Sequence, residues 1–108
     1  MNYLRLKKKK EFTNILKSGK RAYSETLTIV YLPSPEVKMA VCVGKKYGKS
    51  VERNRLKRIL REAFRLRADS IKTPCSFLLI PKVADDYSFA AFHRDIGKIL
   101  RKERLVET

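Results

Sequence analysis

Between positions 45 and 67 the chain reads KKYGKSVERNRLKRILREAFRLR, and a turn of about 100° per residue sorts that run into two opposed faces. Leu56, Ile59, Leu60, Ala63 and Phe64 gather on one side. Asn54, Lys57, Arg58, Arg61 and Arg65 gather on the other, with Arg53 and Arg55 flanking them. A helix of this kind draws its stability from burying its apolar face, so the flanking sequence must supply the cover. Upstream, Leu27, Ile29 and Tyr31 alternate with Thr28, Val30 and Leu32, the period of a strand. Pro33-Ser34-Pro35 then imposes a turn. Val37, Met39, Val41 and Val43, alternating with Lys38, Ala40 and Cys42, predict a second strand that pairs back on the first. Residues 21–24 allow a short strand before both. Downstream, Thr73-Pro74 ends the helix, and residues 76–80 form a short apolar strand closed by Pro81. A last helix begins near Ser88, a suitable N-cap, with Phe89, Phe92, Ile96, Ile99 and Leu100 on one face. Residues 8–17 predict a first helix carrying Phe12, Ile15 and Leu16 on one side, with Gly19 as its stop.

The elements run α, two or three β, α, β, α. That order predicts an α+β fold, a two-layer α/β sandwich with helices packed on a small mixed sheet. The 108 residues suffice for a single RNA-binding domain over 1–108 and leave no room for a second core.

Charge narrows the partners. Twenty-six Lys and Arg against eleven Asp and Glu leave a formal net charge of +15, a self-repulsion that a polyanion offsets. Nucleic acid is the commonest such partner. Residues 45–67 carry ten bases against Glu52 and Glu62, whereas a merely solvated helix mixes its signs for pairing one turn apart. Arginine suits phosphate because its planar fork reaches two oxygens at once. The loop before this helix adds lysines beside a helix N-terminus, itself favourable to phosphate. Asn54 adds an amide able to reach a backbone N–H, a sugar hydroxyl or a base edge. A basic leucine zipper would need a sustained heptad, which Pro74 forbids. No apolar run approaches the roughly 18–20 residues of a membrane span, and the opening MNYLRLKKKKEF has no apolar stretch of a secretory signal. A cytoplasmic protein with no membrane partner is expected, with Cys42 and Cys75 as free thiols. His93 reads as a surface histidine, and Asp85-Asp86 as solvated turn formers. No cluster of carboxylates suggests metal-dependent nuclease chemistry, so neither catalytic residues nor metal ligands are assigned to the chain. A structural RNA-binding protein, such as a ribosomal one, and a protein-only nuclease remain as alternatives.

The run GKSVERNRLKRILRE, residues 48–62, resembles the arginine-rich signature of the bacterial ribonuclease P protein family. The likeness extends through the opening RLKKKKEF, the VGKK that closes a strand, and the order of elements. It implies the order α-β-β-β-α-β-α, a ribosomal protein S5 domain 2-like fold, with an unusual left-handed crossover. It also implies an endoribonuclease holoenzyme that removes the 5′ leader of precursor tRNA. There the catalytic groups and the required Mg2+ belong to a large RNA, and the protein supplies no acid, base or nucleophile. The implied partners are that catalytic RNA and precursor tRNA, with no obligate protein partner evident. By matching position, Lys45, Lys49, Arg53, Asn54, Arg55, Lys57, Arg58 and Arg61, extended by Arg65, would contact the catalytic RNA. Phe12, Leu16, Tyr31 and Lys8 would line a cleft between the first helix and the sheet and hold the single-stranded leader. Three positions depart from the pattern: Leu16 stands where a second aromatic is frequent, Gly44 where a small hydroxyl is common, and Ser50 where alanine is usual.

Overall fold

A computed structural model describes residues 3–106. Its strands are β1 (Leu4–Arg5), β2 (Lys20–Tyr23), β3 (Leu27–Pro33), β4 (Lys38–Val41) and β5 (Cys75–Pro81); its helices are α1 (Lys9–Ser18), α2 (Ser50–Ala68) and α3 (Phe89–Lys102). The expected order is present, with the two-residue β1 added ahead of α1. The strands form one mixed sheet in the order β1-β4-β5-β3-β2.

That order corrects the expected pairing of the second strand on the first. β3 and β4 are not neighbours: β5 lies between them, antiparallel to β3 and parallel to β4. The cause is composition. CSFLLIP is apolar almost throughout and buried at every position except half-buried Ile80, so it needs cover on both faces and partners on both edges. β4 is reached through the Pro33–Pro35 turn, and α2 then carries the chain across from β4 to β5.

The larger face is the expected two-layer sandwich. Leu56, Leu60, Ala63 and Phe64 of α2 pack with Phe92, Ile96, Ile99 and Leu100 of α3 over Leu27, Ile29, Met39, Phe77 and Leu79. The Phe64 and Phe77 rings lie 5.3 Å apart at its centre. On the opposite face α1 adds a local third layer, where Ile15 seals against Leu6, Val30 and Leu78 with Phe12 at the margin. Gly19 ends α1 for want of space. A Cβ there would strike the Ile15 carbonyl and lie 2.9 Å from Val30 Cγ1.

α3 begins where expected, with Ser88 Oγ accepting from the Ala91 N–H at 3.2 Å. Phe89 does not join the core: it stays 39% exposed and stacks on His93. Two acids of α3 and its C-terminal end turn inward. Asp95 accepts from the Thr26 N–H at 3.1 Å and its hydroxyl at 2.6 Å, while Glu103 accepts from the Tyr31 hydroxyl and pairs with Lys20 at 2.9 Å. Both tie α3 to the β2–β3 side of the sheet.

Candidate nucleic-acid interface

The loop leading into α2 is braced from below. Tyr47, in a single 3-10 turn over Lys45–Tyr47, is buried and donates its hydroxyl to the Pro81 carbonyl at 2.5 Å. Gly48 follows at φ +118°, a backbone region only glycine enters freely. The Glu52 carboxylate then accepts from the Lys49 N–H at 3.1 Å, closing the first turn of α2. Lys45, Lys46 and Lys49 are thereby left exposed around the helix start.

Along α2 the cations separate into two sets. Asn54, Arg55 and Arg58 are exposed on the outer surface. Arg65 is exposed too, but its guanidinium forks onto Glu62 one turn back, and that hydrogen bond holds the Glu62 carboxyl below its usual range. Arg53 is half-buried: one terminal nitrogen donates to Ser50 Oγ at 3.3 Å, and its Nε is buried with no partner among the described residues. Lys57 and Arg61 are also half-buried, because they turn towards the sheet edge.

There they meet Phe12. A cavity of about 240 Å³ opens between β1, the start of α1, β4 and α2. Phe12, Tyr3 and the β4 segment Met39, Ala40 and Val41 give it apolar walls; Arg5, Lys7, Lys57 and Arg61 supply positive charge. Tyr3 is held edge-on against Phe64 at 5.3 Å between ring centres. Lys38 and Glu11 bridge β4 to α1 at 3.3 Å. The cavity has the ingredients that hold single-stranded nucleic acid, aromatic faces beside a cationic groove.

Tyr31 is not part of it, contrary to expectation. Its side chain points to the opposite face of the sheet, buried in the α2–α3 core and 6.2 Å from the Phe77 ring. Burial, and then the hydrogen bond to Glu103, push its hydroxyl well above the usual tyrosine range, so it is a structural donor. Leu16 lies one turn beyond Phe12, 44% exposed, and Lys8 is exposed at the N-cap of α1; neither lines the cavity. Arg5, Lys7 and Tyr3 are the lining residues that sequence reading passed over. Leu6, buried between two exposed cations, is the available signal, but three residues are too few to establish a period.

Among the described residues no three His, Cys, Asp or Glu side chains come together to hold a metal. Cys42 and Cys75 are free, and burial pushes both thiols up. Among the described residues no helix is long and apolar enough to cross a membrane.

Known proteins resemble this chain in both sequence and fold. A family model described as Ribonuclease P matches residues 1–104. A ribonuclease P protein component of Clostridium kluyveri is 34% identical, over 97% of this chain and 98% of its own. One from Syntrophus aciditrophicus is 36% identical, over 92% of this chain and 86% of its own. Among solved structures, the RNase P protein of Thermotoga maritima superposes with a TM-score of 0.80 at 24% identity, covering 96% of this chain and 98% of that one. The Staphylococcus aureus RNase P protein gives 0.81 at 22% identity, covering 95% and 97%. At those identities the structural likeness establishes the fold.

Proposed function

The chain belongs to the ribonuclease P protein family, and on that premise we propose that it holds the catalytic RNA of the holoenzyme through α2 while the Phe12 cavity takes the 5′ leader of precursor tRNA. The observation that carries this reading is the meeting of Phe12 and Tyr3 with Lys57 and Arg61 in one cavity. The outer surface of α2, with Lys45, Lys49, Asn54, Arg55 and Arg58, is the part free to grip a large structured RNA. Arg53 and Arg65 flank it. Cleavage chemistry, with its magnesium, belongs in this reading to the RNA; the protein binds and orients. Lys57 and Arg61 stand at the junction, so the leader enters beside the catalytic RNA.

The test is Phe12→Ala in the assembled holoenzyme. Affinity for precursor tRNA with a leader should fall by about 1–3 kcal/mol, the worth of one base stacked on an aromatic ring. Affinity for mature tRNA and assembly with the catalytic RNA should hold. Because Phe12 also packs beside Ile15, thermal melting of the variant is measured alongside. Equal losses for leader-bearing and mature tRNA in a folded variant would overturn the assignment.

A further inference from the structure

Along α3, Phe89, His93, Gly97 and Arg101 follow one another at a spacing of four residues, one helical turn each, over about 18 Å. None of them has a part in the α2 surface or the Phe12 cavity. The Phe89 and His93 rings are stacked, 5.6 Å between centres and 15° from parallel, and Phe89 is an exposed residue. Arg67 of α2 reaches over to this stripe. Its Nε donates to the His93 carbonyl at 3.1 Å, and a terminal nitrogen lies 3.4 Å from His93 Nδ1. The guanidinium lies in the notch left by Gly97, where a Cβ would come within 2.6 Å of its Cζ. Arg101, one turn further, is close enough to act on the same guanidinium as a like charge. Among the described residues no carboxylate is paired with Arg67 or Arg101. Asp95 of α3 and Glu103 at its C-terminal cap are committed to Thr26, Arg94, Tyr31 and Lys20.

We infer that this seam between α2 and α3 is a second RNA site, which takes a short unpaired segment with one base stacked on Phe89 and a phosphate between Arg67 and Arg101. The inference rests on the reading of the chain as RNA-binding but not on the leader cavity. Each component has a physical reason. An exposed phenyl ring backed by a second ring is a flat, fixed platform, and stacking on it accepts any base. Burial, and then the charge of Arg67, hold the imidazole of His93 below its ordinary value, so at neutral pH the platform is uncharged. A phosphate between the two arginines offsets a repulsion that no carboxylate among the described residues relieves, and a guanidinium fixed through Nε presents its remaining N–H groups in a set direction. A duplex would satisfy the arginines but offers no free base for the ring. An unpaired strand satisfies both.

His93 is the only histidine in the chain, so its ring signals report on this seam without ambiguity. The experiment follows them by NMR in the full-length protein, titrated with an unstructured hexaadenylate RNA. A blunt RNA duplex and inorganic phosphate serve as separate comparisons. The hexaadenylate should move the His93 signals to saturation, while duplex and phosphate leave them nearly in place. Phe89→Leu, which keeps apolar cover and removes the ring, should raise the dissociation constant read at His93 by about 5- to 150-fold, the size of one stack. Arg101→Gln, at an exposed position that does not touch the core, should weaken binding and flatten its log–log salt slope by about 0.7. His93 signals that stay fixed while α2 amides shift would remove this site and leave the assembly surface intact. A duplex or phosphate response equal to that of hexaadenylate, or an unchanged constant in folded Phe89→Leu, would equally overturn it.

Discussion

Arg58 and Arg61 sit three residues apart on α2, and a helical wheel puts them on one polar stripe, yet their surroundings differ. Arg58 is exposed on the outer surface; Arg61 is half-buried and lines the cavity with Phe12 and Lys57. If the outer surface holds the catalytic RNA and the cavity holds the leader, substitutions at the two positions should act on different ligands. Removing one cation that neutralises a phosphate changes the log–log salt slope by about 0.7 on a single strand and by about 0.9 on a duplex. Arg58→Ala should thus flatten the salt dependence of assembly with the catalytic RNA by about 0.9, leaving the affinity gap between leader-bearing and mature tRNA as it was. Lys57→Ala with Arg61→Ala should flatten the salt dependence of precursor tRNA binding by about 1.4 and narrow that gap, with mature tRNA little affected. The assay is equilibrium binding of both tRNAs to preassembled holoenzyme across a range of salt, beside protein–RNA assembly titrations. All three side chains lie off the Leu56–Leu60–Phe64 core line, so melting temperatures should stay close to that of the parent protein. If Arg58→Ala narrows the leader gap as much as the double variant does, the division of α2 into two surfaces is wrong.

Protein freed of RNA should not process the 5′ end of precursor tRNA at any magnesium concentration; sustained correct cleavage by it would return a protein-borne active site to consideration. Asp95→Asn should cost about 1.5–3 kcal/mol near neutral pH, the worth of hydrogen bonds to a buried charge. Burial pushes the Asp95 carboxyl up, but the bonds from Thr26 and Arg94 outweigh it and hold the group below its ordinary range. Its contribution is therefore complete above the unfolded value of about 4 and lost as pH falls through the folded value, so melting curves of parent and variant should converge in acid. Gly97→Ala should displace the Arg67 guanidinium from its notch; with that charge further away, the His93 titration followed by NMR should move up towards its ordinary value.

The elements were legible in the sequence because each depends on a local period. β3 and β5 begin and end within about a residue of the expected positions and α3 starts where expected, since those limits are set by Pro33, Pro81 and the Ser88 cap, whereas α2 stops at Ala68, short of the expected break at Pro74. Which strand lies beside which has no local signature. The alternation in residues 37–43 fits an edge, a hairpin partner or an inner strand equally well. The choice is made elsewhere in the chain, by an apolar run that must be covered on both faces and so takes the centre.

The misplacement of Tyr31 has the same origin. Period two says that Tyr31 shares a face with Ile29 and Leu27, but not which face α1 will cover. That choice depends on Gly19, whose missing side chain lets the end of α1 close onto Val30. Once α1 lies over Val30, Tyr31 must point to the other side and take Glu103 as its partner, and the aromatic beside Phe12 has to come from another segment. It comes from Tyr3, brought in by a strand of only two residues pairing with β4. The cavity is therefore assembled from three stretches distant in sequence, residues 3–12, 39–41 and 57–61, and only its α2 wall, with Lys57 and Arg61, belongs to the motif by which the chain is recognised. That dependence explains why a short recognition motif can mark the family while leaving the lining of this cavity to be read from the fold.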